Sequence, residues 1–360
     1  MISISWHRSA PFPSRKFIEA HFIGGARVRL GLTGPHPASP NCADNGRPVA
    51  PSGRHRMSDD IPFDKDLDLV PDVVDEPAPG VRRIMANNPG PFTFKGTVSY
   101  IIGRGKVAIV DPGPDDAAHV GALLDAVRNE TVTHIFVTHT HRDHSPAVPA
   151  IKAKTGAIVY AEGPHRAARP LHIGEHNPLD ASADRDFRPD VALKDGEMVA
   201  GDGWTIEAVA TPGHTANHMA YALKEKNALF AGDHVMAWAT SIVAPPDGAM
   251  SDYMASLAKL AQRKETTYFP GHGPAITDAP RFVNYYILHR KAREASILHR
   301  LSKGATDIPT IVRAIYIGID PRLTGAAGLS VLAHLEDLVA RGAAETDGEP
   351  AIDGIYRLAG

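Results

Sequence analysis

Between Thr138 and His144 the chain places three imidazoles and a carboxylate, on His139, His141, Asp143 and His144. The run 133–137 before them is largely apolar. A buried strand that ends in such a cluster delivers it to the rim of a sheet, where binding residues usually sit. His139 and His141 are two residues apart, so on an extended backbone they point the same way. Asp143 and His144 follow in a turn and can face a second ion. A purely structural role would require several buried partners for packed imidazoles. Neutral imidazole and carboxylate, with no thiolate, suit Zn²⁺, with Mn²⁺ and Fe²⁺ as alternatives.

Three later segments repeat the pattern of a strand feeding a ligand-type residue. Thr211-Pro212-Gly213-His214-Thr215 follows the strand-like run 204–210, and Pro-Gly makes a tight turn that presents the imidazole. Residues 228–233 read as a short buried strand ending in Gly232-Asp233, where Gly232 allows close backbone approach and Asp233 is placed to bridge two ions. Tyr268-Phe269-Pro270-Gly271-His272-Gly273 is a strand running into a glycine-flanked histidine. Each alone is a weak signal; four such junctions in one chain are hard to explain separately.

The order HxHxDH, then His, Asp and His, resembles the metallo-β-lactamase superfamily over about residues 88–301. The resemblance implies a four-layer αββα sandwich. It also implies that His139, His141 and His214 hold one ion, that Asp143, His144 and His272 hold a second, and that Asp233 bridges them. Asp111, in the run 108–113, matches an acidic residue that supports the site from behind the ligands; read from the sequence alone it serves equally as a turn residue capping a strand end. The stretches Asn88-Pro89-Gly90-Pro91-Phe92, Asp252-Tyr253-Met254, Pro270-Gly271-His272-Gly273-Pro274 and Tyr286-Ile287-Leu288-His289-Arg290 look like the β-lactamase-like protein 2 family, which carries a C-terminal winged-helix tail. Because that family includes an endoribonuclease acting on single-stranded RNA, the resemblance implies RNA as a substrate.

The chain's 360 residues accommodate one large catalytic domain and a smaller one. Hydrophobic residues at 43% and charged residues at 22% place it among ordinary globular chains. No apolar run in the sequence approaches the ~18 residues of a membrane span, so no membrane partner is expected. A net charge of −3 advertises no global attraction to nucleic acid. The single cysteine, Cys42, excludes an intramolecular disulfide and a cysteine ligand in the core. Composition says nothing of oligomeric state.

Residues 1–56 carry eight Lys or Arg, at 8, 15, 16, 27, 29, 47, 54 and 56, against Glu19 and Asp44. Residues 34–53 are rich in Pro, Gly, Ser and Asn and resist packing. A disordered tail, a targeting peptide and a true start at Met57 all fit; the first and last are favoured, because no secretory h-region with a small-residue cleavage site is evident. A cytoplasmic location is the corresponding expectation. Catalytic-domain logic then runs over 57–285.

Within it the patterning predicts a hairpin over 97–102 and 106–110, helices over 117–128, 147–155 and 250–263, and strands over 133–137, 157–161, 204–210, 218–223 and 228–230. Residues 163–189 are polar and aperiodic, and read as a variable loop in preference to a lid. Beyond them, 286–360 predicts a winged-helix-like unit, with a long helix over 283–301, short helices over 308–315 and around 329–339, and a closing hairpin over 343–346 and 355–358. Arg290, Lys291 and Arg293 on the long helix are candidate nucleic-acid contacts, although a solvated helix face is the preferred reading.

The expected chemistry is metal-dependent hydrolysis. A bound divalent ion brings the pKa of water from about 15.7 to near 7, and Asp143 would orient the resulting nucleophile without any serine or cysteine. RNA phosphodiesters lead among the expected substrates. Alternatives are a thioester, as in hydroxyacylglutathione hydrolases, or a lactone. A mononuclear iron dioxygenase of the persulfide type is a different reaction class on a similar ligand set.

Overall fold

The computed structural model describes residues 61–173 and 175–360. The extension over 1–56, with Cys42 and Met57, lies outside the described residues. Strands β1 (Asp75–Ala78), β2 (Val81–Met85), β3 (Val98–Ile102), β4 (Lys106–Val110), β5 (Thr131–Phe136), β6 (Ile158–Ala161) and β7 (Val191–Ala192) form one mixed sheet in sequential order. A second sheet contains β8 (Met198–Ala200), β9 (Thr205–Ala210), β10 (Met219–Leu223), β11 (Ala228–Gly232) and β12 (Thr267–Pro270), in the order β12-β11-β10-β9-β8.

Side-chain alternation sorts each strand between two layers. Ala108 and Val110 of β4 and Phe136 of β5 face inward and meet Ile206, Ala208, Tyr221 and Phe230 of the second sheet. Val107, Ile109 and Ile135 face outward and pack on Leu123 of α1 (Ala117–Ala126) and Val148 and Ile151 of α2 (Val148–Thr155). Across the molecule, Ala220, Ala222 and Leu229 pack on Tyr253 and Leu257 of α3 (Met250–Leu260) and on Phe282, Val283 and Tyr286 of α4 (Ala279–Leu301). The layers therefore run helix, sheet, sheet, helix, as expected. Strands β1, β2, β7 and β8 had no expectation. Pro77 interrupts β1, β7 is two residues long, and neither offers an alternating run to read.

Helix α4 is continuous through the boundary expected at 285/286. Its last turns enter a second core, where Ile297 and Leu301 meet α5 (Ile308–Ile315) and α6 (Thr324–Ala340). In α5, Ile308, Ile311 and Val312 recur at helical spacing, and the Asp307 carboxylate caps the first turn by accepting from Thr310 N at 2.8 Å. Strands β13 (Thr306–Asp307), β14 (Ala344–Thr346) and β15 (Ile355–Leu358) close a three-stranded antiparallel sheet, completing a winged-helix lobe. Residues 321–340 are long and apolar enough to cross a membrane by length and composition, which scanning for uninterrupted apolar runs did not register. Half of that stretch is buried, and Val331, Leu332, Leu335 and Leu338 of α6 are spent in the lobe's core.

Candidate metal centre

Every ligand-type residue singled out by spacing arrives at one edge of the sandwich. His139, His141, Asp143 and His144 follow β5, His214 follows β9, Asp233 follows β11 and His272 follows β12. His139 Nε2 and His214 Nε2 lie 3.0 and 3.1 Å from His141 Nδ1. Beside them, Asp143 Oδ2 lies 3.3 Å from His144 Nε2 and 3.1 Å from His272 Nε2. Asp233 belongs to both groups, with its carboxylate 3.8 Å from His214 Nε2 and 3.3 Å from His272 Nε2. The sets His139–His141–His214 and Asp143–His144–His272 each have ligand atoms within 4.8 Å of one another, as does His139–His144–Asp233.

The far nitrogen of four imidazoles is tied down, which aims the other into the centre. His144 Nδ1 donates to Asp111 Oδ2 at 3.0 Å, His214 Nδ1 to the Ile242 carbonyl at 2.6 Å and His272 Nδ1 to the Gly96 carbonyl at 3.2 Å. His139 Nδ1 lies 3.1 Å from Thr138 Oγ1, which in turn donates to Asp111 Oδ2 at 2.7 Å. Asp111 does this from a left-handed backbone (φ 49°), a conformation that Asp tolerates better than most side chains. The Asp111 carboxylate thus reaches both Thr138 and His144 from behind the cluster.

The donor set fits divalent ions. Three imidazole nitrogens converge on one point, and a single N–H cannot serve both contacts of His141 Nδ1; a cation among the lone pairs relieves their repulsion. His141 Nε2, His144 Nε2 and Asp233 Oδ1 are buried and lack a hydrogen-bond partner. Charge tells the same story. Burial lowers the pKa of His139, His141 and His214, with His141 held down to about 3, so these imidazoles are neutral and ready to ligate. Burial would also lower His272 and raise Asp143 and Asp233. Instead the two carboxylates hold His272 up to about 10, and His144 and His272 keep both acids well below the usual carboxylate range. Two acids enclosed this way need positive charge, which imidazolium supplies when no ion is bound.

Three supporting residues escaped the sequence reading. His218 Nε2 accepts from the Asp233 backbone N–H at 3.2 Å while its Nδ1 donates to Thr211 Oγ1 at 2.8 Å, which fixes the turn that carries Asp233. Thr97 Oγ1 donates to Asp143 Oδ2 at 3.0 Å, and Asn88 Oδ1 holds Thr97 by accepting from the Thr97 backbone N–H at 2.8 Å. The spacing His214-x-x-x-His218 was visible, but its second residue falls at the start of the run 218–223, which reads as strand, and lies just before β10. Gly232 and Gly271 permit the crowding. A Cβ on Gly232 would sit 2.6 Å from His218 Nε2, and one on Gly271 2.5 Å from Asp233 Oδ1.

A cavity of about 660 Å³ opens on the cluster. Its walls are mostly apolar, with Phe63, Phe92, Met236, Trp238, Ile242 and Leu323 prominent. The 163–189 segment, expected as a peripheral loop, contributes Leu179, Ala181 and Ser182 to that wall. A larger hollow of about 800 Å³ beside α1 contains none of the clustered ligands. The candidate nucleic-acid contacts separate. Lys291 is exposed on α4, whereas Arg290 is buried and Arg293 is half-buried, and both arginines line the cavity. They do not form the basic solvent-facing stripe expected from the sequence, because the helix face that carries them packs against the C-terminal lobe.

The metallo-beta-lactamase superfamily model matches residues 92–272, and that of the beta-lactamase associated winged helix domain matches 308–352. The beta-lactamase-like protein 2 homolog of Caenorhabditis elegans is 36% identical over 62% of this chain and 71% of its own length. Thioesterase pkgB of Emericella nidulans is 31% identical over 64% of this chain and 62% of its own length. The atrochrysone carboxyl ACP thioesterase of Claviceps purpurea is 28% identical, covering 66% and 70%. Among solved structures, a beta-lactamase domain protein from Burkholderia ambifaria matches 85% of this chain and 99% of its own, with TM-score 0.68 at 19% identity.

Proposed function

We propose, for a chain that belongs to the metallo-beta-lactamase superfamily and carries its associated winged helix, hydrolysis of a small thioester or ester with a largely apolar acyl part. The chain is a hydrolase of that superfamily with a candidate metal-binding His/Asp cluster. The observation that supports the finer reading is the cavity: the clustered ligands open into about 660 Å³ of mostly apolar space, suited to an acyl body more than to a polyanion. Relatives named as thioesterases point the same way.

His139, His141 and His214 would hold one ion, Asp143, His144 and His272 a second, and Asp233 both; zinc suits these donors best. Bound ions would polarise the carbonyl and supply a nucleophilic water at neutral pH. The chain's own groups do the rest. Thr97 fixes one oxygen of Asp143, whose side chain is 24% exposed and the most open of the two carboxylates, so Asp143 is the group placed to orient or accept a proton at the cavity. Trp238 stacks on Phe94 at 4.9 Å, and with Phe92 it walls the site against bulk water.

The test is elemental analysis combined with a substrate panel of thioesters, lactones, β-lactams and single-stranded RNA. Stoichiometric zinc with turnover of aromatic or long-chain thioesters is expected. RNA cleavage at low salt without thioester turnover would replace this reading with the endonuclease, and oxygen consumption with bound iron would replace both.

A further inference from the structure

We infer that Arg290 and Arg293, on the cavity wall that α4 contributes, form an anion-binding subsite for a carboxylate or phosphate group of the substrate outside the bond being cut. Two arginines in the described residues are fully buried, Arg82 at 6% and Arg290 at 3% exposure. Arg82 meets Glu130 at 2.7 Å. Arg290 has no carboxylate partner among the described residues. Its guanidinium donates to the Ser241 carbonyl and reaches Ser330 Oγ at 3.5 Å, it lies 5.0 Å over the Tyr253 ring, and its buried Nε has no partner. A buried guanidinium left without an anion is costly, and a ring face offsets part of that cost.

Arg293 sits one helical turn further on. One of its N–H groups donates to the Ile315 carbonyl at 2.9 Å, and the guanidinium plane lies 4.0 Å over Tyr316. A guanidinium has five N–H donors, so most of the fork stays available. Three arginines in the same region are paired with acids: Arg169 with Glu175 and Glu336, Arg341 with Glu294 and Asp337, Arg322 with Asp320. The fold thus had acids within reach of this lobe and placed none against these two. Among the described residues, the acids on the cavity wall are Asp143 and Asp233, both engaged with the clustered histidines. Planar forks of this kind bind carboxylate and phosphate by paired hydrogen bonds, and a dry wall strengthens them.

That the anion belongs to a substrate rests on the hydrolase reading; that an anion binds there rests on the wall alone. The experiment separates the two. The metal-loaded full chain is assayed with aromatic thioesters of N-acetylcysteamine with and without an acyl carboxylate, and with the neutral acyl group on coenzyme A. Preference for the carboxylated acyl group places the anion on the acyl part; preference for coenzyme A places it on the carrier phosphates. In either case Arg293→Gln should lower that preference at least tenfold, through KM more than kcat. Arg293→Lys should retain part of it, and Lys291→Gln, the same charge change on the exposed face of α4, should leave it intact. If no thioester turns over, the thioester reading fails and calorimetry with inorganic phosphate decides: at least tenfold weaker binding in Arg293→Gln but not in Lys291→Gln supports the subsite. No preference for either anion, or equal responses of the Arg293 and Lys291 variants in both assays, would overturn it.

Discussion

In the sandwich, the clustered residues stand past strand ends, and four of the imidazoles have one nitrogen aimed inward by a carboxylate, a hydroxyl or a backbone carbonyl behind the other. The C-terminal lobe supplies no ligand. It contributes a wall made from one helix face and the turns that pack on it, including Arg293, Tyr316, Leu323 and Ser330. One region fixes atoms to within tenths of an ångström through hydrogen bonds; the other shapes a volume through packing. The difference teaches that chemistry and selectivity are separable here, and that a change in one region should be readable in one observable and silent in the other.

The largest effect is expected at the ligands. His139→Ala or Asp233→Ala should abolish stoichiometric metal by elemental analysis and reduce turnover by more than the ~100-fold typical of residues that only orient ligands. Retained metal in both variants would remove the centre from the account. Next come the orienting residues: Asp111→Asn and Thr97→Val should each weaken metal affinity by roughly 10–100-fold, measured by competition with a chelating indicator, while the fold persists by circular dichroism. In the lobe the sign of the comparison reverses. Leu335 is fully buried in the C-terminal core, so Leu335→Ala should cost about 2–5 kcal/mol in denaturant unfolding and leave metal content unchanged. Loss of metal on this substitution would show that the two regions are not separable.

The smallest effect lies far from both. Glu207 is held down to about 2 by its hydrogen bond to Arg263, against the opposing effect of burial and with help from Lys224. A carboxyl whose folded pKa is depressed stabilises the fold above its unfolded value, near 4.5, and loses that contribution as pH falls toward about 2. The melting temperature of the wild type should therefore exceed that of Glu207→Gln by a near-constant amount above pH 4.5, with the gap closing on acidification to about pH 2. A gap that widens on acidification would contradict the pairing.

The clustered residues were legible because candidate metal ligands are particular residue types at strand ends, and strands announce themselves by periodicity. His139, His141, Asp143, His144, His214, Asp233 and His272 could all be named before any fold was known. Thr97, Asn88 and His218 could not, since a threonine or a histidine just before a strand carries no mark of the neighbour it will meet. The same holds for Arg290 and Arg293. Their sequence neighbourhood is basic and reads as a solvated face, but which side of α4 is covered depends on α5 and α6 folding back over it. Weakly patterned edge strands such as β1 and β7 were lost for a related reason: their placement is decided by pairing partners, not by their own composition.

Helix α4 has Tyr286 anchored in the sandwich core and Ile297 in the C-terminal core, with no break between them. Eleven residues of uninterrupted helix set a rod of roughly 16 Å and a fixed rotational phase between the two cores. Inserting a single residue there would lengthen the rod by only about 1.5 Å but turn everything beyond it by about 100°. Arg293 would swing off the cavity and the C-terminal lobe would lose its seat, whereas a seven-residue insertion would nearly restore the phase at a longer reach. Among natural or engineered variants of this chain, length changes in that stretch should therefore be tolerated in steps of whole turns, and the reach of the cavity wall should change in steps with them.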